Sequence, residues 1–232
     1  MGFSGSLNKL AQLSHEEQKK RAQCLVLEAV VGSGNSVIMH TASNTRMFYP
    51  LFPLLTYTPF SRLWIPAAAK LTIYPAYNPF GQQVYKSAKK LSPEIPVVIL
   101  HDRNDPQCPL NDARDLYCTL RECGNNKAYL IETAGPVAAH VNVLDNDILR
   151  VTHISAIHQI FKENGLPYNP DELILLRDLM AFKADFQPDP KDIRRQIARE
   201  TWTKRYLRNT VDVLSASALV YGAYRYVKSK MS

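Results

Sequence analysis

Cysteine is scarce in this 232-residue chain, and the four present (Cys24, Cys108, Cys118 and Cys123) form no CxxC pair. None is matched by two histidines at zinc-finger distance, so no metal site is indicated. In a chain this long they read as reduced thiols rather than as a disulfide framework. The N-terminus, MGFSGSLNKLAQ, lacks a basic start followed by an apolar run, which argues against a secretory signal. No collagen-like, heptad or solenoid period emerges when the sequence is compared with itself. The combination of low hydrophobicity and high charge that marks disorder is missing as well. The chain is 46% hydrophobic and 21% charged, close to globular averages. Its length suits one domain, or one domain with an extension, and suffices for a sizeable core. A cytoplasmic protein is the expectation.

Charge is present but unevenly placed. The formal net charge is +7, and from Lys191 onward ten basic residues face only three acids, Asp192, Glu200 and Asp212. Residues 1–190 are therefore formally neutral and the tail carries the whole excess. Such a split predicts a body and an appendage with different roles.

Along the chain, residues 5–20 read as a helix. CLVLEAV (24–30) follows as a nearly continuous apolar run, as in a strand buried on both faces of a parallel sheet. GSGN (32–35) breaks it. Prolines at 50, 53, 59, 66, 75 and 79 stop any helix from running far through 36–80. Short helical pieces and loops are expected there, as a lid-like insertion. A connection of that length without regular structure is uncommon unless it has a function. Tyr49, Phe52, Tyr57, Phe60 and Trp64 are candidates to line a pocket beneath it.

Order returns with a helix at 81–91 and a buried strand, PVVIL (96–100). A second helix, 109–124, has Asn111 or Asp112 near its start and Gly124 as its C′ residue. KAYLIE (127–132) reads as a third strand, and 141–163 as a long amphipathic helix ending at Asn164-Gly165. Helix and strand alternate, the pattern of an α/β fold with a parallel sheet of at least three strands flanked by helices. Ligands in such folds sit at the carboxyl ends of the strands.

Beyond Gly165 a helix is expected at 171–183, a basic helix at 191–209 and an apolar one at 211–227. The last is too short and too polar to span a membrane.

Three residues stand where chemistry would be placed. Ser4, in Gly2-Phe3-Ser4-Gly5-Ser6, directly precedes a helix. Small residues at positions 2 and 6 permit a sharp turn there, and the Gly5 N–H points where an oxyanion would form. Asp105, just past PVVIL, can hold an imidazole in one tautomer. His140, past KAYLIE, can act as a general base. Each has a plain structural reading too: a flexible terminus for Ser4, an Asn-Asp-Pro turn for Asp105, a loop or capping histidine for His140. His40, His101, His153 and His158 are expected to be structural or solvent-facing, with His101 able to pack beside Asp105.

The order Ser, Asp, His, each next to a strand-like or helical segment, resembles the α/β-hydrolase superfamily over roughly residues 1–163. It looks most like the serine peptidase-like and lipase-like branch. In the family's H-G-x-x-D-x-x-V-P stretch, His101, Asp105 and Pro109 match here, while Asp102 replaces the Gly and Cys108 the Val. Ser6 stands where the serine motif usually has Gly. The resemblance implies a serine hydrolase with Ser4 as nucleophile, His140 as base and then acid, and Asp105 as its orienting carboxylate. Gly5 would be one oxyanion donor. Ester, thioester or amide substrates follow, small-molecule, acyl or peptidyl, and the chemistry needs no cofactor and no metal.

That superfamily has four or five strands before its nucleophile, so these residues correspond to its carboxyl-terminal half. CLVLEAV would then be an open apolar edge, able to pair with a second copy or with an N-terminal-half partner. The domain reading is a hydrolase-like unit over 1–165, including the insertion at about 36–80, and a helical, basic extension over 166–232. The alternative is a truncated or non-catalytic hydrolase-like protein that binds rather than cleaves. Residues 191–232 could lie on an anionic membrane surface, making the protein peripheral to a membrane. The apolar helix at 211–227 could instead pack on the open sheet edge. Nucleic acid is disfavoured, because Trp202 and Tyr206 sit among basic residues without a recognised module.

Overall fold

The computed structural model describes residues 7–44, 57–72, 83–133, 147–173 and 186–231. Their order is α1 (His15–Arg21), β1 (Leu25–Glu28), α2 (Gly34–Asn44), α3 (Ser61–Thr72), α4 (Gln83–Ala88) and β2 (Val97–Asp102). Then come α5 (Leu110–Glu122), β3 (Ala128–Thr133), α6 (Asp147–Glu163) and α7 (Pro190–Met231). The three strands form one parallel sheet in the order β1-β2-β3, with Leu27 opposite Ile99 and Ile99 opposite Leu130.

The strand period of two sorts the core into two layers. Val97, Ile99, Ala128 and Leu130 point to one face, against Leu7, Val84, Ala113, Leu116, Tyr117 and Leu120. Val98, Leu100, Tyr129 and Ile131 point to the other, against Ala156 and Ile160 of α6. Val97, Val98 and Ile99 are completely buried. Each contributes roughly 1.5–3 kcal/mol of apolar burial. Among the described residues β1 is paired on one side only and is partly exposed, unlike the strand buried on both faces expected at 24–30. The outer edge of β3 is closed by the chain before α7. Leu130 N–H donates to the Phe186 carbonyl at 2.9 Å, and the Gln187 amide donates to the Ala128 carbonyl at 3.2 Å.

Local chemistry sets the element ends. The single helix expected over 5–20 is a helical turn at 7–10 followed by α1. Ser14 starts α1 anew: its Oγ accepts from Glu17 N–H, and the Glu17 carboxylate accepts from Ser14 N–H. Gly124 (φ +88°) and Gly165 (φ +67°) are left-handed C′ residues. In each case the following N–H closes a six-residue loop, Asn125 to Leu120 and Leu166 to Phe161.

Regular structure reaches further into 36–80 than the prolines suggest: α2 has 11 residues, and α3 has 12 with Pro66 inside it. The two helices expected at 191–209 and 211–227 are one continuous helix of 42 residues. Among the described residues no helix is long and apolar enough to cross a membrane. Nor is the tail separate from the body. Ile193 is buried in the main core, Tyr117 Oη donates to the Pro188 carbonyl at 2.7 Å, and Arg194 forks onto Glu122 at 3.0 and 3.1 Å. The helix 171–183 falls mostly outside the described residues, of which 170–173 are helical.

Candidate active site

The carboxyl ends of the three strands gather the polar groups of this fold. β1 ends at Ala29, whose φ of +49° is left-handed without the freedom of glycine. β2 ends at His101-Asp102 and β3 at Thr133.

Asp105 lies three residues beyond β2 and is buried. Its Oδ1 accepts from the N–H groups of Gln107 at 2.7 Å and Cys108 at 2.9 Å. Asp105 N–H itself donates to the Asp102 carbonyl at 3.1 Å, and the Asp102 carboxylate accepts from Asn104 N–H at 2.7 Å. Two consecutive aspartate turns therefore hold the loop rigid while the first carboxylate stays at the sheet edge. His40, from α2, donates through Nε2 to the Asp105 carbonyl at 2.9 Å.

His101 is buried beside this loop. A carbonyl can only accept, so its 3.1 Å contact with the Cys108 carbonyl places the proton on Nε2. Nδ1 is then an acceptor, and it has no partner among the described residues. Burial lowers the His101 pKa, against the opposing pull of Asp105. Burial also pushes the Cys108 thiol up to about 12, so it is no nucleophile.

His153, on α6, reaches the end of β3, where Nε2 lies 3.1 Å from Thr133 Oγ1. It too is buried, and its Nδ1 and the Oγ of Ser155 have no partner among the described residues. Burial lowers its pKa to about 4, with Asp102 pulling the other way. It is neutral near pH 7.

A second buried carboxylate, on α5, meets the segment that follows β1. Asp112 is in the first turn of α5, yet it caps nothing there: the N-cap is Pro109, with no side-chain hydrogen bond. Its Oδ2 instead accepts from Gly32 N–H at 2.7 Å and Ser36 Oγ at 2.5 Å. Burial raises its pKa to about 6, against those two bonds. Gly32 is required by the close approach, since a Cβ there would lie 2.0 Å from Tyr85 Oη.

Of the residues singled out from sequence, Asp105 is at the predicted edge of the sheet. Ser4, Gly5 and His140 lie outside the described residues, as do Tyr49 and Phe52. Tyr57, Phe60 and Trp64 are surface residues, between 36% and 40% exposed. His101 packs by Asp105 as expected. His40 and His153, expected to be structural or solvent-facing, stand at the strand ends, bonded to the Asp105 carbonyl and to Thr133 Oγ1. For His153 a signal exists in the sequence: it shares helical spacing with the apolar Ala156 and Ile160, which places it on the buried face. For Asp112 none does, because its partners lie about eighty residues away.

Among the described residues no group of three or more His, Cys, Asp and Glu side chains is arranged to hold a metal ion. Comparison with family models, curated proteins and solved structures found no match to this chain.

Proposed function

We propose that this chain carries an α/β-hydrolase-like Ser-His-Asp triad, Ser4, His140 and Asp105, that cleaves an ester, thioester or amide. The observation that carries the reading is the placement of Asp105. It is a buried carboxylate on a rigid loop at the carboxyl end of the central strand of a parallel sheet. The other two members adjoin the same architecture in sequence. Ser4 precedes the helical turn at 7–10, whose Leu7 and Leu10 enter the core, and His140 follows β3.

In this mechanism Ser4 Oγ adds to the substrate carbonyl carbon as His140 takes its proton, and Gly5 N–H donates to the developing oxyanion. Collapse expels the leaving group, which receives that proton from His140. Water repeats the sequence to free the acid and restore Ser4. Asp105 would orient the His140 ring and stabilise its imidazolium.

Incubation of the full chain with a serine-reactive fluorophosphonate, followed by mass spectrometry, tests this. An adduct on Ser4 is expected, absent in Ser4→Ala and slowed by about 10²- to 10⁴-fold in His140→Ala and Asp105→Asn. Both N–H bonds to Asp105 Oδ1 also suit a purely structural turn, in which case the chain is a non-catalytic hydrolase-like protein. Equal labelling of Ser4→Ala, or none of the folded wild type, would decide for that second reading.

A further inference from the structure

The 42 residues of α7 extend about 63 Å at 1.5 Å per residue, and only the first part is covered by the body. Its buried or half-buried residues include Ile193, Ile197, Thr201, Arg208, Val211 and Asp212. Past Thr201 this inner face is mainly polar, with Val211 its apolar member. The Arg208 guanidinium sits 5.4 Å from the Tyr57 ring centroid, and the Asp212 carboxylate accepts from Phe60 N–H at 2.7 Å.

The opposite face is apolar and bare. Trp202, Tyr206, Val213, Val220 and Tyr224 fall within about 40° of one another at 3.6 residues per turn. Each is between 59% and 71% exposed. Trp202 and Tyr206 stack on each other with centroids 5.4 Å apart. This arrangement inverts the usual one, in which a helix turns its apolar side to the body.

The net charge of the segment, part of it on the inner side with Arg208, selects the occupant. Residues 201–231 hold six cations, Lys204, Arg205, Arg208, Arg225, Lys228 and Lys230, against a single acid, Asp212. On the outward side of the first turns stand Lys191, Arg195 and Arg199. The seven-residue spacing of Tyr206, Val213, Val220 and Val227 would also fit a second helix. Pairing with another copy, however, would set two strongly cationic segments side by side. A bilayer with anionic headgroups attracts the same cations and accepts Trp, Tyr and Val at its interface.

We propose that the outward face of α7, from Trp202 to Tyr224, is a docking surface for an anionic phospholipid bilayer, on which the helix lies without crossing. This is independent of the hydrolase reading and would stand if Ser4 proved unreactive.

The test is flotation of the full chain with vesicles of 70:30 phosphatidylcholine:phosphatidylserine, with phosphatidylcholine vesicles alone, and with the anionic vesicles in 0.5 M salt. A quadruple variant, Trp202→Ser, Tyr206→Ser, Val213→Ser and Val220→Ser, runs in parallel, with circular dichroism and light scattering on both proteins. The expected result is binding to the anionic vesicles at least tenfold above the neutral ones, reduced tenfold by salt and tenfold by the variant, with helix content unchanged. Failure to float with anionic vesicles overturns the proposal, as does equal flotation of a folded variant. A wild-type dimer that becomes a monomer in the variant overturns it too, by assigning the face to a second copy.

Discussion

Asp112 and His153 are buried by the same fold but titrate against each other. Burial raises Asp112 to about 6, whereas in the unfolded chain it ionises near 3.9. Between those values the unfolded state has lost a proton that the folded state keeps, so its contribution to stability falls as pH rises from about 4 to about 6. His153 is lowered to about 4, against about 6.5 when unfolded. There the unfolded state binds the extra proton, so stability falls as pH drops through that window. Each effect is on the order of 3 kcal/mol, and between pH 4 and 6 they offset each other. Asp112→Asn should therefore leave a profile that rises with pH, and His153→Gln one that falls. Urea unfolding at half-unit pH steps reads both, and difference curves that stay flat would show the two groups uncoupled from folding.

Two glycines separate backbone from packing costs. Gly124 has φ +88° and no heavy atom within 4 Å of where a Cβ would sit, so Gly124→Ala should cost about 1 kcal/mol through conformation alone. At Gly32 the added carbon would lie 2.0 Å from Tyr85 Oη and 2.9 Å from Asp112 Cγ. Gly32→Ala should cost roughly 1–3 kcal/mol through overpacking. Thermal melts of the two variants should place Gly32→Ala lower, and the reverse order would contradict the contact geometry.

At the scale of elements, one side chain fastens three of them. Arg114 of α5 is almost fully buried and forks onto Glu132 of β3 at 2.7 and 2.9 Å. Its third nitrogen meets both carboxylate oxygens of Glu200 of α7 at 2.9 Å. Burial alone would raise the Glu132 carboxyl, but the Arg114 fork outweighs it and holds the pKa below its ordinary value. Arg114→Met would leave that carboxylate only the exposed Arg103, whose Nε donates to it at 3.1 Å, and should cost about 3 kcal/mol, the low end for a broken buried pair. Arg114→Met combined with Glu132→Leu should cost less than the single change, because no uncompensated charge remains. A double variant weaker than Arg114→Met in denaturant melts would count against the pair.

Elements were also where sequence reading succeeded. β2 and β3 were legible because PVVIL and KAYLIE are apolar runs of strand length, and Gly124 and Gly165 because a C′ glycine is a local requirement. The break at Ser14 was missed even though Ser14-His15-Glu16-Glu17 spells a capping box. The apolar Leu7, Leu10 and Leu13 spacing hid it.

Across the whole molecule, the extension that the sequence reading begins at 166 makes contact with the body. Residues 186–201 close the edge of β3, bury Ile193 and supply Glu200 to Arg114. A chain ending at Asp189 should lose several kcal/mol, from Ile193 burial and from the loss of Glu200 as second partner of Arg114, which keeps its fork onto Glu132. One ending after Ser215 should melt close to the full chain. Circular dichroism melts of the two truncations distinguish an integrated α7 base from a detachable tail. The apolar segment 211–227 does not pack on the edge of β1: Asp212 at its start meets Phe60, and Leu219, Val220, Tyr221, Tyr224, Tyr226 and Val227 are exposed.

Periodicity, turn residues and charge counts act over a few residues, so the sequence by itself determined the alternation of helix and strand, the parallel sheet and the position of Asp105 at a strand end. Contacts between residues far apart in the chain were decided only in three dimensions. Gly32 meets Asp112 across 80 positions and Arg114 meets Glu200 across 86, and no local pattern encodes which buried donor will find which carboxylate. The same holds for α7: its composition announced a basic, apolar helix, but only docking of one side of that helix on the body, through Ile193, Ile197 and Asp212, determined which face is left to solvent.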